Sequence, residues 1–511
     1  MRNNDLSNFP EGIGSYSKGL KHNGAGPNIG FVDPASFAQF LKACAIDPTS
    51  TTTPYAGPGV RDFENLGIVL GDPLGKGSRL NGPQGAFAGN IGGKPSNAFV
   101  SAPAPELDSP EYWVELIECY WASLLRDVPF GEYPTNATAI AAANELTNFA
   151  AHYAGPVDGS GKVIPSLLFR GGFGKKTKEF MGERDGPYLS QLCLQPCMLG
   201  ALTIDQKIKT LAPGIDFVTT LGDWLQVQQG LPTGAPLTYD SMRRFMRTGR
   251  DTAAYTHTDE LYQAYLIAFL ACAAVGITPD PNMKSPYFSL HHQKPFGTFG
   301  GPDITGVIGA VARAAINAVW YQKWSIHLRH RPEYGGGLVE LWQENKLNPV
   351  TKAKFANISM ILNSTALNLS HLRNGSYLLS QTFPEASPTH PAYPTGHGVV
   401  AGACITALKF FLDGDATIAN PVEPTADGLT LQPYSGPALS LNGELHKLAH
   451  NVSFGHGIHA GIHWRSDTDA SLLLGEEVAI AVLADLAKTY NETFVIDITK
   501  MDGTKHKFHH P

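Results

Sequence analysis

Cysteine is scarce in this chain: six in 511 residues, at Cys44, Cys119, Cys193, Cys197, Cys272 and Cys404. Cys193 and Cys197 are separated by Leu-Gln-Pro, so no CxxC pair exists. Buried free thiols are expected, and a disulfide framework is not. A basic excess is also missing. The formal net charge is -7, with a pI of about 6.2, which argues against a general nucleic-acid or anionic-membrane surface. The longest membrane-like run, Tyr265–Ile277 (YLIAFLACAAVGI), has thirteen residues, too short to span a bilayer, and reads as a buried core helix. Met1–Gly12 lacks the apolar centre of a signal peptide, so a cytoplasmic protein is the default expectation, with export by another route left open. The glycine-rich pieces Gly171-Gly172 and Gly335–Gly337 form neither a P-loop nor a dinucleotide fingerprint, and no HExxH zinc motif occurs.

What the chain does contain is helical patterning. Amphipathic or apolar helix-length runs recur at Glu111–Arg126, Ala137–Tyr153, Asp259–Val275, Gly306–His330, Ala353–Leu367, Val399–Leu412, Leu445–Ile462 and Leu472–Tyr490. Strand-like alternation is sparse and clearest at Thr493–Ile498. A mainly α fold of helical-bundle type with few short strands is therefore expected. Residues 1–110, rich in Gly, Pro, Asn and Ser, read as a loop-rich arm packed on the body or on a partner subunit. Residues 111–511 read as the helical domain. His371–Ser376 and Asn420–Gly428 read as loops, and His506, His509 and His510 as part of an exposed tail.

Three segments concentrate chemistry. Ser387–His397 (SPTHPAYPTGH) is an extended, proline-stiffened approach that delivers a hydroxyl, an unshielded backbone N–H and an imidazole, Thr395-Gly396-His397, to the start of an apolar helix. Unpaired N–H groups there suit a tetrahedral oxyanion. By itself the segment also reads as an ordinary turn whose Thr395 caps the helix. In Tyr321–Pro332 (YQKWSIHLRHRP), Lys323 and Arg331 are eight residues apart, about 80° around a shared helix, with Pro332 marking its end. They supply a point charge and a planar fork for an oxyanion, or simply a solvated cationic helix end. In Gly455–Asp467 (GHGIHAGIHWRSD), His463 and Asp467 fall at i and i+4, the arrangement of a metal-ligand or nucleophilic histidine oriented by a carboxylate, or of a surface ion pair. His456, His459 and His463 also share one helix side, a minor zinc option.

Taken in order, Lys323, Arg331-Pro332, Pro394-Thr395-Gly396-His397 and His463-x3-Asp467 resemble the vanadium-dependent haloperoxidases, whose pattern is a lysine and arginine-proline block, then P-S-G-H, then R-x5-H-x3-D. The likeness to the algal and bacterial bromoperoxidase branch extends over Glu64–Pro73, Tyr120–Tyr133, Met246–Leu266, Lys294–Ile304, Pro384–His397 and Leu472–Val478. The resemblance implies a helical-bundle enzyme that binds vanadate and oxidises bromide with hydrogen peroxide to a hypobromous-acid-level agent for an organic acceptor. It also implies a homodimer or larger homo-oligomer. By resemblance His463 is the vanadium ligand, and Lys323, Arg331, Thr395 and Gly396 hold the vanadate oxygens. Lys323 also polarises bound peroxide. His397 is the acid–base residue, and His390, at a position where bromoperoxidases tend to carry histidine, leans the reading to bromide. This chain departs from the pattern at Thr395, where the family has serine, and at Gly457, where its second arginine should stand. His456, His459 and Arg465 are the candidate substitutes. A phosphatase using His463 as nucleophile, and a non-catalytic homologue with a decayed anion site, are the alternatives.

Overall fold

The computed structural model describes residues 13–44, 63, 78–90, 92–172, 182–278 and 282–511. The opening Met1–Gly12 and the likeness block Glu64–Pro73 lie outside the described residues. The core around the site is built from helices α1 (Pro110–Leu124), α2 (Gly249–His257), α3 (Gly301–Tyr321), α4 (Pro332–Gln343), α5 (Gly396–Phe411), α6 (Leu441–Phe454) and α7 (Arg465–Ala487).

Helix α5 is apolar apart from His397, Thr406 and Lys409, and every one of its 16 residues is buried, as expected of a helix enclosed by neighbours. It packs on α3, α6 and α7. Two glycines let α5 and α7 approach: a Cβ on Gly402 would lie 2.1 Å from the Leu472 carbonyl oxygen, and one on Gly475 2.1 Å from that of Val399. By length and composition alone, Gly301–His327 could cross a membrane, a longer apolar stretch than the sequence reading found. Here its buried side faces α5 and α7.

The mainly α expectation holds, with local corrections. The run at Ala353–Leu367 is not one helix but ends and restarts as Pro349–Lys352, Ser359–Leu362 and Thr365–Asn374, the first and last opened by the caps Asn348 and Ser364 and the last closed by left-handed Gly375 (φ 71°). Within 420–428, Val422–Pro424 pairs antiparallel with Leu431–Pro433. The C-terminal histidines are not a free tail: Phe494–Thr499 pairs with Lys505–His510, register Phe494↔His510, burying Phe508 while His509 faces outward. All six cysteines are buried, and none is joined to another in a disulfide.

Residues 13–44 brace the segment that carries the first two cations. The Tyr16 N–H donates to Leu328 O (2.6 Å), and Tyr16 and Phe40 pack edge-on against Trp324 at 5.8 and 6.2 Å.

Replacing Gly402 or Gly475 by alanine should cost about 1–3 kcal/mol or more, because the added methyl meets backbone rather than a movable side chain. Urea denaturation measures this. Wild-type midpoints for both variants would mean that α5 and α7 do not cross this closely.

Candidate functional site

Lys323 and Arg331 meet, but not on one helix. After α3 the chain widens into a π-helical turn, Gln322–His327, and then reverses through Leu328 in the left-handed region (φ 49°). Arg331 is the N-cap residue of α4, and Pro332 starts that helix rather than ending the previous one, because its fixed φ and missing N–H suit the first helical position. The Lys323 ammonium donates to Pro391 O and Ala392 O, both at 2.7 Å. The Arg331 guanidinium donates to His390 O (Nη2, 2.9 Å) and Ile462 O (Nη1, 3.0 Å). Among the described residues neither cation has a carboxylate at ion-pair distance; the nearby Asp467 and Glu115 belong to Arg329. Burial, with Arg331 adding to it, drives the Lys323 pKa well below its ordinary value, and burial brings Arg331 down to about 10.

His463 and Asp467 touch as expected, though through a helix start rather than along a helix. Asp467 is the third residue of α7; its Oδ2 lies 2.8 Å from His463 Nδ1 and accepts from the Trp464 N–H, while Oδ1 accepts from Arg329 at 2.9 Å. Arg331 Nη1 stands 2.7 Å from His463 Nε2. A guanidinium only donates, so Nε2 must accept and Nδ1 must carry the proton. The imidazole is thus neutral, with its Nε2 lone pair turned toward the cations, the state a metal ligand requires. Burial, then Arg331 and Lys323, hold its pKa well below the usual histidine range.

Thr395 occupies the N-cap position of α5 yet makes no side-chain cap bond. Its Oγ1 is buried without a partner, and its N–H is taken by Asp467 O at 3.1 Å. The turn-and-cap reading therefore fails: the hydroxyl is held out of the helix cap. His397, in the first turn, places Nε2 2.9 Å from Asp259 Oδ1. Sequence reasoning missed Asp259, although it lies within the Met246–Leu266 likeness block; nothing in its local pattern points at a histidine 138 residues away. His390 lies over Trp320 (centroids 4.9 Å), with Nδ1 3.1 Å from Arg331 Nη2. Burial, Lys323 and Arg331 keep His390 neutral well below its ordinary pKa. Lys323, Arg331, Thr395 and His463 are 0–1% exposed, whereas His390 and His397 retain 6% and 7%. The cations, hydroxyl and His463 thus form a floor beneath a slightly more open pair of imidazoles.

The three proposed substitutes for the second arginine separate. After α6 the chain makes another π-helical turn, Gly455–His459, the form that absorbs one extra residue in a helix. It turns His459 away, to Tyr188 Oη (3.0 Å) and the Phe130 ring, with burial lowering its pKa to about 3. Arg465 is committed to Glu118 (Nη2 at 2.5 Å) and Arg170 O. Only His456 faces the site, its ring 3.7 Å from that of His397 and 5.6 Å from that of His463. His456, His459 and His463 do not share one side, and among the described residues no three His, Cys, Asp or Glu groups converge on a metal position.

What this arrangement can bind is an oxyanion. Two buried cations lacking a carboxylate, an orphaned hydroxyl and a neutral imidazole lone pair fit a tetrahedral anion whose central atom accepts that lone pair. A family model described as VCPO second helical-bundle domain matches residues 307–492. The chain is 34% identical over 498 residues to a vanadium-dependent bromoperoxidase of Ascophyllum nodosum, covering 96% of this chain and 85% of that protein. It is 33% identical over 567 residues to one of Corallina pilulifera, covering 98% and 92%. It also matches the homohexameric structure of the second vanadate-dependent bromoperoxidase of Ascophyllum nodosum, with a TM-score of 0.85 and 26% identity, over 100% of this chain and 86% of that one. The chain belongs to the vanadium-dependent haloperoxidase family, in its bromoperoxidase-like branch.

Asp467→Asn removes the acceptor charge that sets the His463 tautomer while nearly conserving shape. Orthovanadate affinity measured by titration calorimetry should fall about 10- to 100-fold. An unchanged affinity would show that Asp467 does not orient His463.

Proposed function

We propose that this chain is a vanadate-dependent bromoperoxidase that oxidises bromide with hydrogen peroxide to a hypobromous-acid-level agent, which then halogenates an organic acceptor. The observation that carries the reading is the buried Lys323–Arg331 pair, without a carboxylate, beside the His463 lone pair. Buried cations of this kind are costly unless an anion joins them.

His463 Nε2 would be the ligand to vanadium, and Lys323, Arg331, the Thr395 hydroxyl and the Gly396 N–H would hold the vanadate oxygens. Bound vanadate supplies Lewis acidity toward hydrogen peroxide without changing oxidation state. Lys323 would supply a donated hydrogen bond and positive charge toward the oxygen transferred to bromide. His397 gives its Nε2–H to Asp259, which leaves Nδ1 to take a proton from hydrogen peroxide and return it to the departing oxygen. The net change is bromide, peroxide and one proton to hypobromous acid and water. His390, neutral and packed at a tilt against Trp320, shapes the more open side where halide arrives.

Relatives named vanadium-dependent bromoperoxidase support the assignment, and a homohexameric relative supports self-association of this chain. Light scattering should report a particle larger than the 54.8 kDa chain. A monomer at every working concentration would remove the oligomer from the proposal.

Purified protein loaded with orthovanadate should brominate a phenolic indicator only when both bromide and hydrogen peroxide are present. His463→Ala should retain no vanadium. His397→Ala should retain it and lose about 10²- to 10⁴-fold in turnover. Phosphate-ester hydrolysis without halogenation would assign the site to phosphatase chemistry instead, and neither activity would leave a decayed homologue.

A further inference from the structure

We infer that His456 is an oxyanion-binding residue of this site, donating a ring N–H to an oxygen of the bound anion. The inference rests on the vanadate reading above and concerns a residue outside the set that reading uses.

Position comes first. The π-helical turn Gly455–His459 spends its extra residue between α6 and His463. That shift sends His459 to Tyr188 and brings His456 between His397 and His463. At Gly457 a Cβ would lie 3.3 Å from His463 Cβ, closer than most real contacts. With glycine there and His459 turned to Tyr188, His456 is the side chain of this turn whose ring lies beside His397 and His463.

Satisfaction comes second. His456 is partly exposed, unlike the fully buried floor, and its Nδ1 is buried with no hydrogen-bond partner. Buried polar atoms are rarely left so without a ligand. The ring is held in place by stacking on His397 at 26° between planes, so little rotamer entropy is lost when an anion arrives. Among the described residues no carboxylate pairs with the imidazole, whose neighbours are the His397 and His463 rings. A ring N–H can donate as a neutral group, where an arginine would be a fixed cation. Arg465, the other cation of the segment, is held by Glu118 and contributes nothing here.

The test measures orthovanadate affinity by calorimetry and by the ⁵¹V resonance of the bound anion, in the full chain. A lost hydrogen bond to a charged acceptor predicts that His456→Ala binds about 10- to 100-fold more weakly than wild type. His456→Asn and His456→Gln place an amide N–H near the ring Nδ1 and Nε2 positions, and one of them should recover to within about fivefold of wild type. His459→Phe, in the same turn but directed at Tyr188, should bind like wild type, which separates a local disturbance of the turn from loss of a donor. A His456→Ala protein that keeps its helical circular dichroism and wild-type affinity overturns the inference and leaves the bromoperoxidase reading standing. Failure of both amide variants to recover affinity overturns the neutral-donor role. Wild-type protein that binds no orthovanadate overturns this inference together with the reading on which it rests.

Discussion

Two basic side chains, Lys323 and Arg331, are buried together in this fold with no carboxylate at ion-pair distance among the described residues, and most of the surrounding structure is arranged around that fact. Lys323 and Arg331 are sustained by backbone carbonyls of His390, Pro391, Ala392 and Ile462, which supply partial charge but do not neutralise. Asp467 could have neutralised one of them. It is engaged instead by Arg329 on one oxygen and by His463 on the other. The site stays cationic, and His463 stays neutral with its Nε2 lone pair facing inward. Moving one carboxylate into contact with Lys323 or Arg331 would remove the reason for an anion to enter.

The carbonyls that hold the cations must themselves be held. The strap 387–394 is tied to α4 at Glu333, whose carboxylate accepts from the Ser387 N–H (2.8 Å) and hydroxyl (2.7 Å). Lys18, from the N-terminal segment, reaches the same carboxylate at 3.1 Å and also donates to Ser387 O at 2.5 Å. The N-terminal segment thus does more than cover the body. It fixes the strap that presents the carbonyls to Lys323 and Arg331. Glu115 on α1 plays a parallel part, receiving Arg329 and the Ser466 N–H and so locating the start of α7 and with it Asp467.

Most of the functional groups leave from places where regular helix geometry is broken, His397 and Asp467 in first helical turns being the exceptions. Lys323 and His456 leave from π-helical turns, Arg331 and Thr395 from N-cap positions, and His463 from the two residues before α7. These are the places where backbone direction departs from the helix repeat, so a side chain is aimed by the departure and not by 3.6-residue periodicity. The rigid part of the design lies behind them, in the glycine-permitted crossing of α5 and α7 and the fully enclosed α5.

Sequence by itself determined the helical class, the absence of a disulfide framework, the identity of the three site segments, and the pairing of His463 with Asp467, because each depends on local pattern or on short spacing. The continuous apolar run after Gly396 requires a buried helix whatever surrounds it. Tertiary structure decided the rest. Pro332 reads equally as a helix end or a first helical residue until Leu328 is seen to reverse the chain. Thr395 reads as a cap until its hydroxyl is found unpartnered. Asp259 reaches His397 across 138 residues, and Arg465 is removed from the site by Glu118 in α1, two partnerships with no local signature. Helical periodicity grouped His456 and His459 with His463, and only His456 is found beside it, because the turn takes up one extra residue. The π-turn absorbs that residue and rotates everything after it, because a buried backbone must keep its hydrogen bonds closed even when the repeat is broken.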